Sequence, residues 1–383
     1  MKQGRHPGEE SAGAAALAPD RGPLSPAQLF FILLLAVFPT MVMLLPGDLA
    51  RLAGRYAWWT PLAAVVPGSL AAWVFGAAAA RRGGTVCAAL RGCGPWLGRV
   101  LLLTQALGLG AYTVVVVREA AEISSVTLVA ATVPVWLPAC LTLVPAVALA
   151  GLGPVVTGRA ALIIGPVTLL LYLGVLLAML PSVHAIWALP LLPRNTRFLG
   201  GQALGRTWVW LAEPSFLGAV LLEHAGPATR RRAGGLLALA VATSAGLTAA
   251  GTWIMVAELG PRGMAAASLP ILGIVNRVSF GPFVQHLQTA TLPVEAMGTA
   301  LKLAVFLWVW TRLVRGVVGG GSRWILALGA TVSLGLGLGL FPNVLAVDRA
   351  LYTWLALWAV PGLTAGLLLI YGAAALRRGG AGA

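Results

Sequence analysis

The stretch FFILLLAVFPTMVMLLPG, residues 30–47, is apolar over a length that crosses a membrane and carries Pro39 near its middle. In the matching place of the second half of the chain, the apolar stretch VWLAEPSFLGAVLL, residues 209–222, is interrupted by Glu213 and Pro214. Proline removes a backbone donor and clashes with the preceding turn, so both stretches are predicted to break into half-helices. A pair of interrupted spans in corresponding positions is the sequence sign of a transporter binding site.

The composition is that of an integral membrane protein. Of 383 residues, 59% are apolar and 10% charged, with a mean hydropathy of +0.89, whereas soluble domains carry about 25% charged residues. We therefore predict an all-α polytopic membrane protein with one transmembrane domain, residues 24–378. The tails are 1–23, predicted to be disordered and without a signal-peptidase site, and 379–383. The ten predicted transmembrane helices are 27–45, 58–80, 100–117, 134–151, 160–180, 204–222, 233–256, 289–311, 324–341 and 351–376.

Membrane topology accounts for the net charge of +15. If the N-terminus is cytoplasmic, the cytoplasmic segments hold 16 Lys and Arg residues and the opposite side holds 9. This bias follows the positive-inside rule and predicts that both termini are cytoplasmic. Anionic membrane lipid then explains the basic charge, and no nucleic-acid partner is predicted.

Motifs of metal and enzyme chemistry are absent from the sequence. Cys87, Cys93 and Cys140 form no CxxC pair and the four histidines are scattered, so no metal or other cofactor is predicted. The sequence has no GxxxxGK[ST] phosphate loop, no HExxH and no GxSxG motif. ATP-driven transport and the common hydrolytic reactions are therefore unsupported, and the chain is predicted not to be an enzyme.

Three ionisable residues, Glu213, Glu295 and Lys302, lie well inside the predicted spans. A charge at the bilayer centre costs about 2.5–3.5 kcal/mol, which favours a function in ion or proton coupling. Glu295 and Lys302 are seven residues apart, so they share one helix face about 10 Å apart along the axis. The alternative is structural: Glu213 caps a half-helix or pairs with Lys302, and Glu295 and Lys302 belong to a buried pair with another partner.

The two interruptions define the predicted ligand site. Pro214 is expected to begin the second half of span six, which leaves Glu213 in the break. Thr40 is expected at the positive end of a half-helix, where a carboxylate can bind, although an ordinary proline kink is an equal alternative. Gln105 and Tyr112 are weaker candidates for the cavity wall, since hydrogen bonding between helices explains them equally well. The substrate-binding candidates are Phe38, Pro39, Thr40, Met41, Trp210, Ala212, Glu213, Pro214, Ser215 and Phe216.

Four stretches together resemble a known family. They are LSPAQLFFILLLAVFPTMVMLLPGDLARLAGRYAWW at residues 24–59, AEPSF at 212–216, GPFVQHLQ at 281–288, and Lys302 in the middle of the eighth span. In this order and spacing they resemble the permease-like B subunits of spore germinant receptors, within the amino acid/polyamine/organocation superfamily. The similarity runs from about Leu24 to the end of the tenth span.

The resemblance implies a LeuT-like fold of two inverted five-helix repeats, with helices one and six unwound around a central site. It implies a germinant-sensing subunit that binds a small amino acid-like ligand, acts with receptor A and C subunits and lies in the spore inner membrane. The ligand carboxylate would meet N–H groups near Thr40 and Met41, its side chain would lie against Phe38 and Phe216, and Lys302 would replace a coupling cation.

This chain departs from the family pattern at several positions. Pro39 stands where the family usually has Gly, Glu295 where it has a large apolar residue, and His286 and Gln288 where it has Arg and an acidic residue. The main alternative function is a stand-alone proton-coupled amino acid permease, in which Glu213 or Glu295 carries the proton. A membrane enzyme is disfavoured because the sequence has no recognisable nucleophile, base or metal constellation.

Overall fold

The computed structural model describes residues 22–81, 95–127, 133–193, 199–267, 269–275, 288–318 and 321–353. The predictions for residues 1–21, for His286 and for residues 354–383, which include most of the tenth span, lie outside the described residues. The α-helices are α1 (Pro26–Ala53), α2 (Trp59–Arg81), α3 (Pro95–Thr127), α4 (Trp136–Leu152), α5 (Pro154–Met179), α6 (Ala185–Ala188), α7 (Gly201–Leu211), α8 (Glu213–Leu221), α9 (Pro227–Arg231), α10 (Ala233–Ala266), α11 (Pro270–Val275), α12 (Gln288–Val318), α13 (Ser322–Leu340) and α14 (Val344–Arg349).

The described part of the chain is all-helical and contains no β-strand. Six of its segments are long and apolar enough to cross a membrane, and α4 is a shorter apolar helix. The chain is therefore a polytopic membrane protein, as its composition predicts. The six segments are Pro26–Tyr56, Trp59–Ala80, Trp96–Ser125, Pro154–Ser182, Ala233–Ala266 and Ser322–Leu340.

The first predicted break is wrong. Helix α1 runs without interruption through Pro39 and Pro46, and a Ser25 capping box fixes its start. In a continuous helix the N–H groups of Thr40 and Met41 pair with carbonyls four residues earlier, so they are not available to a carboxylate. Only the Leu35 carbonyl loses its donor at Pro39, which a buried helix tolerates among close neighbours.

The second predicted break is present, between α7 and α8. Helix α7 ends at Leu211 and α8 begins at Glu213, one residue earlier than predicted, with Pro214 in its first turn. Ala212 lies between the two helices with φ −78° and ψ −22°, which is close to helical geometry. The span is therefore interrupted at Ala212 by a local loss of hydrogen bonding rather than unwound, because Pro214 has no N–H to continue the ladder. We call this interruption the kink.

Helix α3 is much longer than its predicted span, which ends at residue 117. The charges of Arg118, Glu119 and Glu122 end the apolar run, but the helix continues to Thr127. Arg118 is buried and donates to the carbonyls of Phe341 and Pro342, at 2.8 and 3.2 Å, just after α13 ends. A cation is favourable at the C-terminus of a helix, here that of α13. The Arg118 contact therefore stabilises α3 beyond the predicted end of the third span.

Helix α1 is the central element of the bundle. It packs against α5, α7, α8, α10 and α12, and most of its residues are buried. Its start is tied to the end of α8, because the Leu24 N–H donates to the His224 carbonyl at 2.8 Å and the Thr229 hydroxyl donates to the Leu24 carbonyl at 2.7 Å. We call this end of the bundle the first end, and the end that holds Arg51 the second end.

Candidate functional site

The middle of the bundle contains a dry polar cluster centred on Lys302. The Lys302 ammonium donates to the Thr40 hydroxyl oxygen at 2.8 Å and to Glu213 Oε1 at 3.1 Å. The Tyr112 hydroxyl donates to the same Glu213 oxygen. Lys302, Glu213, Thr40 and Tyr112 are each 0% exposed, so four helices, α1, α3, α8 and α12, meet at one buried ion pair.

Aromatic rings surround the ammonium group. Lys302 Nζ lies 4.8 Å from the ring centroid of Trp210, 5.6 Å from that of Phe306 and 5.8 Å from that of Tyr112. Ring faces carry partial negative charge and attract a cation most strongly where water is excluded. The rings therefore compensate part of the hydration that Lys302 loses on burial.

The kink between α7 and α8 sets the direction of Glu213. Helix α8 begins at Glu213 with Pro214 beside it, so Glu213 stands in the first turn, where the helix dipole favours an acidic residue. Its Oε1 accepts from Lys302 and Tyr112, but its buried Oε2 has no hydrogen-bond partner among the described residues. Burying a carboxylate oxygen without a partner costs free energy, and Oε2 therefore indicates a position that lacks a hydrogen-bond donor.

The structural alternative for Glu213, a pair with Lys302, is what the structure contains. Tyr112, predicted as a possible wall residue, is part of the same cluster, and Gln105 is buried two turns nearer the first end on α3. Trp210, Ala212, Pro214, Ser215 and Phe216 are all buried around the kink. The sequence prediction therefore names most of the residues that meet at this point.

Other predicted neighbours are separated. Phe38 packs edge-to-face on Tyr172 with ring centroids 4.7 Å apart, whereas Phe216 packs beside Tyr112 and Phe306. The predicted contact of one ligand side chain with both Phe38 and Phe216 is therefore not supported. Phe38, Pro39 and Met43 instead line a cavity of about 70 Å³. This is well below the ~300 Å³ of small ligand sites, so the described conformation is closed.

Glu295 lines that small cavity and is not part of the Lys302 cluster. Both of its carboxylate oxygens are buried without a hydrogen-bond partner among the described residues. Both oxygens of Glu119, on α3, are in the same condition. Sequence reasoning missed Glu119 because the predicted third span ends two residues before it; continuing helical periodicity past Arg118 would have placed it in the bundle.

A second charged network, also missed, joins helices at the second end. Asp48 pairs with Arg51 on its own helix, and its Oδ2 lies 3.2 Å from Arg206 Nη1 on α7. Arg51 Nη2 lies 3.6 Å from Asp348 Oδ2 on α14. Arg206 also lies over the Tyr352 ring at 4.7 Å. The network links the end of α1 to the first half of the kinked span, above the Lys302 cluster.

Comparison with known protein families identifies the family of this chain. A family model described as spore germination protein matches residues 23–332. The chain belongs to this family. The match runs from α1 to the first half of α13, including Lys302 and the kink at Ala212, and it confirms the resemblance to the spore germination permeases. A comparison with curated proteins gives no match.

The geometry of this spore germination family member offers a defined chemistry at its centre. A fixed ammonium, a hydroxyl and a carboxylate with one unpartnered oxygen lie within one dry cluster. A zwitterion could bind its carboxylate to the first two groups and its ammonium to the third. In a water-poor site such charge-assisted hydrogen bonds are stronger than at the surface.

Proposed function

We propose that this protein is the membrane-embedded germinant-sensing subunit of a spore germination receptor, and that it binds a small amino acid-like ligand at the Lys302 cluster. The observation that carries the proposal is the unpartnered buried Oε2 of Glu213 next to the ammonium of Lys302. The ligand ammonium would donate to Glu213 Oε2, and the ligand carboxylate would accept from Lys302 and Thr40.

Ligand binding would require the bundle to open. The cluster is fully buried, and the cavity beside it, of about 70 Å³, is too small for a typical ligand. The two helix halves that meet at Ala212 are the proposed moving parts, since Pro214 supplies no N–H for a backbone hydrogen bond across the junction. The ligand would then favour one arrangement of α7 and α8 over another, a population shift that a partner subunit could read.

We propose further that the chain has ten spans in two inverted repeats, with the first end and both termini in the cytoplasm. The charge bias of the sequence supports this orientation. The exposed residues Arg231, at the first end, and Arg262, beyond α10's midpoint at the second end, provide the test. In intact cells an impermeant maleimide should label Arg262→Cys and leave Arg231→Cys unlabelled; the reverse labelling would contradict the orientation.

The proposed partners are the A and C subunits of a germinant receptor in the spore inner membrane, and no enzymatic activity is proposed. Family membership supports a germination context. The three subunits should co-purify from spore membranes through an affinity tag on this chain. Recovery of this chain without either subunit, from membranes that contain both, would argue against the assignment.

The ligand test uses the purified chain in nanodiscs with labelled L-alanine as the probe, and propionate and ethylamine as competitors. The zwitterion should bind saturably, and neither single-charge analogue should compete at the same concentration, because each lacks half of the proposed contacts. If propionate competed as well as an amino acid, Glu213 would have no role in binding, because propionate lacks the ammonium group. An absence of binding by any small amino acid tried, in the presence of the partner subunits, would overturn the proposal.

The buried carboxylates Glu119 and Glu295 favour a second candidate, a stand-alone proton-coupled amino acid permease. Neither has a hydrogen-bond partner among the described residues, so each could take up and release a proton during a transport cycle. Proteoliposomes that contain only this chain separate the two functions. Accumulation of labelled alanine driven by a proton gradient, and lost in Glu295→Gln, would establish a permease; saturable binding without accumulation would support the sensor.

A further inference from the structure

A separate cavity of about 430 Å³ lies at the first end of the bundle. It is bounded by the α4–α5 connection, residues 150–156, by His224 after α8, by the last turns of α12 and by the start of α13. Its volume falls within the ~300–1,000 Å³ of ligand sites. It shares no lining residue with the Lys302 cluster, and the proposed function does not use it.

The cavity wall is strongly basic. Arg312, Arg315 and Arg323 line it, and no carboxylate is among its described lining residues. Arg312 pairs with Glu223 at 2.9 Å. Arg315 and Arg323 form no ion pair or hydrogen bond with the described residues and are exposed. The guanidinium groups of Arg315 and Arg323 are therefore available to a ligand, whereas the charge of Arg312 is neutralised by Glu223.

Two helix N-termini reach the same cavity. Helix α5, 26 residues long, begins at Pro154, and helix α13, 19 residues long, begins at Ser322. Neither helix has a side-chain cap at its first residue, so the first N–H groups of both lack the usual acceptor. The positive ends of two helix dipoles add to the arginine charge, and such N–H groups commonly bind phosphate.

His224 completes the polar wall. Its Nδ1 is buried and has no hydrogen-bond partner among the described residues. Burial and then the nearby Arg312 guanidinium lower the pKa of His224, while Glu223 opposes this effect. The ring packs edge-to-face on Trp308, with centroids 5.0 Å apart. A neutral imidazole held in this way can donate one hydrogen bond to an anion without adding another charge.

We infer that this cavity is a binding site for a phosphate-type anion, held by Arg315, Arg323 and the N-termini of α5 and α13. The shared chemistry fits either the headgroup of an anionic phospholipid or a soluble phosphate. Leu152, in the cavity wall, is 61% exposed and Trp324, next to Arg323, is 52% exposed. Apolar and tryptophan side chains at this level suit a lipid whose acyl chains run along the bundle, and basic pockets between helices bind anionic headgroups.

The test compares the purified protein with two variants of equal charge change. Arg315→Gln/Arg323→Gln removes the two available arginines of the cavity, and Arg231→Gln/Arg232→Gln removes two exposed arginines at the same end but outside it. Native mass spectrometry counts phosphatidylglycerol molecules that remain bound against a phosphatidylcholine background. In parallel, the apparent melting temperature in phosphatidylcholine nanodiscs is measured against inorganic phosphate, with chloride at matched ionic strength.

The first variant should lose about ten-fold or more in affinity for one of these probes, since each arginine near a headgroup contributes measurably, and the second variant should retain it. Loss in the lipid arm identifies an anionic headgroup as the ligand, and loss in the phosphate arm identifies a soluble anion. The inference fails if the protein shows no saturable preference in either arm, or if both variants lose affinity equally. All variants should keep their melting temperature without ligand, which separates lost binding from misfolding.

Discussion

The centre of the bundle and its second end both join α1 to the kinked span through charged side chains, but only the centre is dry. Lys302 and Glu213 are both 0% exposed, whereas the side chains of Arg51 and Asp348 at the second end are 41% and 24% exposed. Burial makes a charge pair strong once it is formed but costly to break, because the remaining partner then has no water. Partly exposed pairs contribute little and can exchange their partners with solvent.

The difference in solvent exposure suits the two regions to different functions. The central pair holds four helices in one arrangement. Glu213 Oε2, which belongs to the pair, lacks a hydrogen-bond donor among the described residues. The network of Asp48, Arg51, Arg206 and Asp348 joins α1, α7 and α14, which we propose to move relative to one another, through partly exposed contacts. A site that must bind selectively needs the first kind of contact, and a closure that must open needs the second.

The largest effect is expected at Lys302. Lys302→Met leaves Glu213 charged and buried without its partner, which should cost about 3–5 kcal/mol of stability and abolish amino acid binding. Thermal unfolding in detergent and labelled alanine binding measure the two effects. The double variant Lys302→Met/Glu213→Gln should recover most of the stability but none of the binding. If Lys302→Met keeps full binding, the ammonium has no role in the site.

A smaller central effect is expected at Tyr112. Tyr112→Phe keeps the ring beside Phe306 but removes the hydroxyl that donates to Glu213. Loss of a hydrogen bond to a charged group should cost about 1.5–3 kcal/mol. The melting temperature should fall less than in Lys302→Met, and alanine affinity should fall rather than vanish. Tyr172→Phe, which removes a hydroxyl bonded to the Leu247 carbonyl away from the cluster, controls for a general loss of packing; it should leave alanine affinity unchanged.

At the second end, Arg206→Gln should change stability by only about 0–1 kcal/mol, since Asp48 keeps Arg51 and the pair is partly exposed. Its main consequence should be easier opening, seen as faster maleimide labelling of the buried position Ala50, as Ala50→Cys, in the Arg206→Gln background than in Ala50→Cys alone. Arg262→Gln, an exposed residue outside the network, should leave the labelling rate unchanged. Equal rates in all three backgrounds would show that the network does not restrain opening.

The smallest effect concerns pH. Burial and the neighbouring Asp48 raise the pKa of Asp348 to about 6, although Arg51 and Arg206 act in the opposite direction. A carboxyl whose pKa is raised in the closed state favours that state when it is protonated, so its contribution is present below pH 4 and is lost as pH rises through about 6. The labelling rate of Ala50→Cys, divided at each pH by the rate for the detergent-unfolded protein to remove the pH dependence of the thiol itself, should therefore be higher at pH 7 than at pH 5.

Asp348→Asn tests the source of this pH dependence. The amide cannot ionise, so the labelling rate relative to the unfolded protein should become the same at pH 5 and pH 7 and should match the slow relative rate at pH 5. A pH dependence that persists in Asp348→Asn would assign it to another group.

Two prolines inside apolar spans show how far the sequence predicts the fold. Pro39 and Pro214 both remove a donor from an apolar span, and the sequence predicts a break at each. Only the second span is broken, at Ala212. Pro39 lies against Gly298 of α12, where an added Cβ would come within 3.1 Å of the proline ring, and the Thr40 hydroxyl donates to the Val37 carbonyl at 3.3 Å. Close packing therefore keeps α1 whole, and this packing is invisible in the sequence.

Glu119 and Asp48 show a second limit. The apolar run of the third span ends at Arg118, before Glu119, and that of the first span ends before Asp48. The carboxylates of Glu119 and Asp48 are nevertheless buried. Arg118 remains in the bundle because it finds the carbonyls of Phe341 and Pro342, and Asp48 because it finds Arg51 and Arg206. A charged residue ends an apolar run in the sequence whether or not a distant partner compensates it in the fold.

The sequence by itself determined the membrane class, the helix positions to within a few turns and the family, and it singled out Glu213, Lys302 and the AEPSF stretch as candidate site residues. The family follows from the four stretches that resemble it, and the rest follows from composition, period and the cost of charge in hydrocarbon, which are local properties of the chain. Tertiary structure alone decided that Lys302 meets Thr40 and Tyr112 as well as Glu213, that α1 stays whole and that Glu295 lies in a different cavity. These outcomes depend on which side chains from distant helices fill the same space, because close packing and hydrogen bonding are properties of the assembled bundle.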